Sequence, residues 1–131
     1  MRRTAATIAF ALGFVLLVAG TALAVTRMCP ENCRGTADDD RLVGSSRANT
    51  IYADDGNDRV LGRGGEDALK GGDGRDEVYG GEGDDIVRGR THSEPNDHAR
   101  DTLICGPGRD KVFFVRGQDV LKGCEIKRPS R

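Results

Sequence analysis

At 131 residues the chain has room for one domain at most. Its formal charge of −1, with 20 Lys and Arg scattered among 21 Asp and Glu, contains no basic run of the kind that marks nucleic-acid binding. Without Trp, and with only 2 Tyr and 4 Phe, it has little aromatic surface on which to stack bases or sugars.

In chain order, Arg2 and Arg3 make a short basic start and the stretch from Thr4 to Thr26 carries no charge. Ala22-Leu23-Ala24 is a small-residue cleavage pattern, so residues 1–24 are read as an export signal cut before Val25, which leaves a charge of −3. An uncleaved anchor is the alternative, because the uncharged stretch is long enough to span a bilayer. Either reading places the remainder outside the cytoplasm, secreted or membrane-anchored and facing outward. Residues 25–34, with Cys29 and Cys33, form an N-terminal cap.

From Gly35 to Arg88 six nine-residue units follow without insertion. GGDGRDEVY (71–79) and GGEGDDIVR (80–88) are full copies of G-G-x-G-x-D-x-U-x, with U a large aliphatic. GTADDDRLV, GSSRANTIY, ADDGNDRVL and GRGGEDALK precede them in phase. A seven-residue insertion, Gly89 to Pro95, is followed by three degenerate units, NDHARDTLI, CGPGRDKVF and FVRGQDVLK, and a C-terminal cap within 96–131. The eighth position is aliphatic in all nine units: Leu42, Ile51, Val60, Leu69, Val78, Val87, Leu103, Val112 and Leu121. The sixth is Asp40, Asn49, Asp58, Asp67, Asp76, Asp85, Asp101, Asp110 and Asp119.

A fixed short period signals a solenoid. Glycines at positions one, two and four make a turn. Positions seven to nine alternate exposed, apolar, exposed, which is a short strand with one inward side chain. Two units then make one flattened coil. The expected fold is all-β, a right-handed parallel β-roll or β-helix with one thin aliphatic layer between two sheets.

The four cysteines of an exported chain allow three pairings. Cys105 is position one of its unit and Cys124 position two of the unit starting at Gly123, one coil later on the same side. Strands about 4.8 Å apart fall within disulfide reach. The expected bridges are therefore Cys105–Cys124 and Cys29–Cys33.

With two units per coil, Asp40, Asp58 and Asp76 stack in one column and Asn49, Asp67 and Asp85 in another. Carboxylates about 5 Å apart repel by roughly 3 kcal/mol per pair at an effective dielectric near 20. A dication between loops reverses that sign. Calcium fits better than magnesium, since it takes six to eight oxygens, backbone carbonyls included, in flexible geometry. The first expected site lies between loops 53–58 and 71–76, with Asp55 and Asp73 beside Asp58 and Asp76 and with Gly56, Gly72 and Gly74 in the turns. The second lies between loops 62–67 and 80–85, with Asp67, Asp85, Gly65, Gly81 and Gly83. A site using Asp40 is weaker because loop 35–40 lacks glycine at positions two and four, and the one using Asn49 is weakest. In the metal-free alternative, outward Asp side chains cap glycine turns by accepting backbone N–H groups.

GGDGRDEVY and GGEGDDIVR resemble the RTX (haemolysin-type) calcium-binding repeats, closely over 35–88 and loosely over 96–122. The resemblance implies a parallel β-roll with calcium between loops two repeats apart. RTX toxins and proteases also carry a large effector domain and leave through a C-terminal route, whereas this chain is read as a small exported member without an effector domain. Toxin or protease activity is therefore not carried over.

His92, His98, Glu94 and Asp97 sit around the insertion and read as a polar surface loop rather than a metal site. No activated nucleophile is legible. Tyr52, Tyr79, Phe113 and Phe114 read as packing at strand ends, with Phe114 making the last coil a metal-free cap. The expectation is a non-enzymatic calcium-binding β-roll that folds with calcium and serves as a scaffold or interaction surface for a cell-envelope or protein partner. A small secreted hydrolase and a membrane-tethered adhesion module are the alternatives.

Overall fold

Alternation about the eighth position of each unit is enough to build two sheets. In the computed structural model the described residues are 25–90 and 99–129, and they form strands and loops without a helix. One sheet contains β1 (Val25–Met28), β3 (Asp40–Val43), β5 (Arg59–Gly64), β7 (Glu77–Glu82), β9 (Thr102–Ile104) and β11 (Val120–Lys122), in that spatial order. The other contains β2 (Asn32–Arg34), β4 (Thr50–Asp55), β6 (Ala68–Asp73), β8 (Ile86–Arg88), β10 (Lys111–Phe114) and β12 (Ile126–Pro129), again in sequence order. All neighbouring strands are parallel, and consecutive strands alternate between sheets, so two nonapeptides make one coil.

Register follows the repeat. Leu42 lies beside Val60 and Val60 beside Val78, while Ile51 lies beside Leu69 and Leu69 beside Val87. Across the insertion Val78 pairs with Leu103 and Val87 with Val112. The aliphatic columns therefore continue unbroken across the insertion. The side chains of Leu42, Ile51, Val60, Leu69, Val78, Val87, Leu103 and Val112 are fully buried, with Leu121 packed against their end. This is the β-solenoid expected from the repeat.

Two features differ from expectation. The strands β4 to β7 run for 6 residues rather than three, because position one of the following unit continues the alternation with a small inward residue. Ala53, Gly62, Gly71 and Gly80 occupy it and are buried. At Gly62 a Cβ would strike the Gly80 carbonyl and the Asp67 carboxylate, so only glycine fits there without a shift. The second difference is at the ends. Residues 25–34 are more than a cap: β1 adds to β3 (Val25 beside Asp40) and β2 to β4 (Asn32 beside Thr50). At the other end β12 adds to β10, with Ile126 beside Lys111. Neither VTRM nor IKRP carries repeat residues; the open strand edge beside each supplies the template.

Both expected disulfides are present. Cys29–Cys33 has a Cα separation of 5.3 Å and Cys105–Cys124 one of 5.1 Å. Cys29 and Cys105 lie in the apolar core, so each bridge ties an end of the solenoid to its interior. The proposed signal segment 1–24, most of the insertion, and His92 and His98 lie outside the described residues.

Candidate metal centre in the stacked loops

Each unit leaves its strand through a loop, and in most loops the second and fourth residues take the left-handed conformation. In five loops both do so: Asp54 and Asn57's neighbour Gly56 (φ 75° and 107°), Arg63 and Gly65 (79° and 90°), Gly72 and Gly74 (129° and 106°), Gly81 and Gly83 (102° and 114°), and Gly106 and Gly108 (96° and 132°). Glycine is needed at position four for a second reason. The space a Cβ would take at Gly74 is filled by the Gly56 carbonyl of the previous coil, and at Gly83 by that of Gly65. Backbone carbonyls of one loop thus face the backbone of the next. Asp54 and Arg63 accept the left-handed conformation without being glycine, at about 1–2 kcal/mol each.

The sixth position points inward, not outward. Asp40, Asn49, Asp58, Asp67, Asp76, Asp85, Asp101 and Asp110 are between 0 and 4 % exposed. In each column the Oδ1 of one coil accepts the position-six N–H of the coil before. Asp58 accepts from Asp40 at 2.7 Å, Asp76 from Asp58 at 2.9 Å and Asp101 from Asp76 at 2.9 Å. In the other column Asp67 accepts from Asn49 at 2.7 Å, Asp85 from Asp67 at 2.8 Å and Asp110 from Asp85 at 2.9 Å. Asp therefore accepts backbone N–H groups across coils, from the interior.

The second carboxylate oxygen divides the loops into two classes. In loops 35–40 and 114–119 the position-two N–H donates to it, Thr36 to Asp40 and Val115 to Asp119, and in loop 44–49 the Ser45 N–H donates to the amide oxygen of Asn49. Where position two is left-handed that amide turns away. Gly72 N–H donates instead to the Gly89 carbonyl and Gly81 N–H to that of Cys105. The Oδ2 atoms of Asp58, Asp67, Asp85 and Asp110 are left buried with no hydrogen-bond partner. A buried, unpaired carboxylate oxygen is costly unless a cation meets it. Asn49 heads its column for a different reason than lost charge: its Nδ2 donates to the carbonyls of Cys29 (3.2 Å) and Glu31 (3.0 Å), which no carboxylate could do.

Burial raises these acids. Asp58 and Asp85 are pushed from 3.8 to about 7 and Asp67 to about 6 by desolvation, which the accepted backbone N–H offsets in part and, for Asp58 and Asp85, neighbouring carboxylates reinforce. Asp110 is raised as well, again by burial. The neighbours acting on Asp58 are Asp40, Asp39 and Asp54, and those on Asp85 are Asp67, Asp110 and Asp84. The expected companions differ: Asp55 is exposed and Asp73 half-buried, side by side at the rim on β4 and β6. Sequence reasoning missed the fifth position, which forms a ladder of opposite polarity. Asp39 Oδ1 accepts from Asn57 N–H, Asn57 Oδ1 from Arg75 N–H and Asp84 Oδ1 from Arg109 N–H. It also set loop 105–110 among the degenerate ones. CGPGRD has glycine at positions two and four and Asp at six, and its backbone matches the exact repeats.

Among the described residues no three His, Cys, Asp or Glu side chains converge as a metal cluster. A cation in these loops must combine carboxylates from successive coils with backbone carbonyls, the oxygen-rich mixture that suits calcium. Residues 34–69 and 61–91 match the family model of the RTX calcium-binding nonapeptide repeat (4 copies). The segment 34–91 belongs to that family. The chain matches no curated protein and no solved structure. The RTX segment thus includes four of the five loops with paired left-handed residues, and loop 105–110 extends the same geometry beyond it.

Two outcomes follow from the column. Folded carboxylates raised above their unfolded value make the metal-free fold most stable below about pH 4. That stability is lost as pH rises towards about 7, through the folded values of Asp67, Asp58 and Asp85. Urea midpoints in EDTA should fall over that range; a midpoint that rises instead contradicts buried, unpaired carboxylates. Asn49→Asp should cost about 1–3 kcal/mol in EDTA, because two buried carbonyls lose their donor. An unchanged midpoint would remove that role from Asn49.

Proposed function

We propose that calcium binds between successive coils of this β-roll, at the buried carboxylates of the loops with paired left-handed residues. One observation carries the reading: unpartnered Oδ2 atoms stacked in a column whose glycine backbone leaves carbonyls at hand. Calcium supplies a hard dication that accepts six to eight oxygens and cancels the charge of the column. Asp58 and Asp76 with Gly56, Gly72 and Gly74 hold one ion, and Asp67 and Asp85 with Gly65, Gly81 and Gly83 another. Asp85 and Asp110 with Gly81, Gly83, Gly106 and Gly108 hold a third. Asp55 and Asp73 at the rim contribute field rather than ligands. Loops 35–40, 44–49 and 114–119, in each of which one side-chain oxygen at position six already accepts the position-two amide, are weak sites or none.

Folding is coupled to this binding, because the metal-free column leaves charge buried and unmatched. We further read the protein as exported and non-enzymatic, a calcium-set scaffold. Two disulfides accord with an oxidising compartment. The hydrolase reading rests on His92 and His98, and no observation favours it.

Calorimetric titration and circular dichroism of the full chain test this together. Asp85→Asn keeps the ladder acceptor but removes the charge, and should weaken calcium binding at least about tenfold at the affected sites. Asp119→Asn should titrate like the parent protein. A parent-like titration by Asp85→Asn overturns the assignment, and unchanged β content in EDTA overturns coupled folding.

A further inference from the structure

The outer face of the second sheet carries a feature that the linear sequence hides. Positions seven and nine of β2, β4, β6, β8 and β10 point away from the core, and position nine reads Arg34, Tyr52, Lys70, Arg88 and Phe113 in adjacent register. Lys111 lies on the neighbouring column, beside Ile86. Cations eighteen or more residues apart in the chain become neighbours about 4.8 Å per coil along the axis. No basic run appears in the sequence for that reason. Among the described residues no Asp or Glu occupies positions seven or nine of this sheet. Carboxylates enter only at the loop ends of its strands, where Asp54 pairs with Arg34. The first sheet is different: Glu77 sits in the middle of its face, paired with Arg59 and bonded to Tyr79.

The same face is partly apolar. Of the three exposed large hydrophobic residues described, Tyr52 (46 %) and Ile86 (36 %) lie on it. Lys70 stands 5.8 Å from the Tyr52 ring centroid and Arg88 4.5 Å from that of Phe113. These contacts hold the cations in place and occupy ring faces that a sugar or a base would need for stacking. What remains is a flat surface that presents positive charge beside exposed Tyr and Ile, the combination that suits the headgroup region of a membrane. The uncharged stretch runs into β1 at Val25, so any bilayer that holds residues 4–24 also holds the roll nearby.

We propose that this face docks on an anionic lipid surface, with Lys70, Arg88 and Lys111 meeting headgroup phosphates and Tyr52 and Ile86 entering the interface. The docking is independent of the N-terminal stretch in kind: it depends on lipid charge, whereas an apolar segment does not.

Co-sedimentation of the full chain, in calcium, with phosphatidylcholine vesicles lacking or containing phosphatidylglycerol separates the two. The charge-dependent increment should fall at least about twenty-five-fold in Lys70→Glu/Arg88→Glu, at roughly a fivefold change per cation, and should vanish in high salt. Arg41→Glu/Lys122→Glu makes the same charge change on the other sheet and should leave the increment unaltered. Circular dichroism on each variant establishes that the roll is intact, so a failure to dock is not a failure of calcium binding. Equal partition into both vesicle types, equal loss in the two double variants, or full displacement by soluble polyphosphate at matched phosphate concentration would overturn the proposal.

Discussion

Stacking a carboxylate into the interior of every coil is the constraint on which this fold depends. The position-six side chain accepts the position-six N–H of the preceding coil, so it fixes one coil against the next as backbone pairing does in the sheets. The aliphatic layer is only one residue deep per strand and cannot specify register with comparable directionality. The same burial that gives the carboxylate its structural partner removes it from water. Half of each carboxylate is satisfied by the solenoid itself; for Asp58, Asp67, Asp85 and Asp110 the other half is not.

Whether that second oxygen is satisfied depends on one backbone torsion. A position-two residue in ordinary conformation aims its N–H at the carboxyl group of its own loop, as Thr36 does at Asp40. A left-handed residue sends the N–H to the next coil instead, as Gly81 does to Cys105. Glycine at position two thus makes the loop electrostatically incomplete, and glycine at position four lets the neighbouring backbone approach closely. Asp54 and Arg63 show that the arrangement is worth a strained residue where glycine is missing. In the end loops the position-two amide turns to its own loop's side chain instead, which separates capping coils from the coils we assign to calcium.

Much of this is legible in the sequence. The nonapeptide period placed Val60 beside Val78 and Leu69 beside Val87, and repeat phase alone paired Cys105 with Cys124. The acidic column was equally plain, because Asp recurs at a fixed phase. Its direction was not. An Asp beside glycines reads as surface, and only the alternation 6-in, 8-in, 1-in, carried through a buried position one, turns it inward. The fifth-position ladder was hidden because only Asp39, Asn57 and Asp84 show it, scattered among residues of other kinds. The strands at both ends have no motif at all: β1 and β12 pair because an open edge is there to pair with. The basic face escaped notice for the complementary reason, since a period of eighteen disperses its cations along the chain.

Anomalous diffraction from crystals grown in millimolar calcium examines the central claim without an intermediary. The expected result is calcium between loops 53–58 and 71–76, between 62–67 and 80–85, and between 80–85 and 105–110, each ion touching a position-six carboxylate. Loops without calcium under those conditions, with the Asp58, Asp67 and Asp85 carboxylates met by protein groups alone, would contradict it.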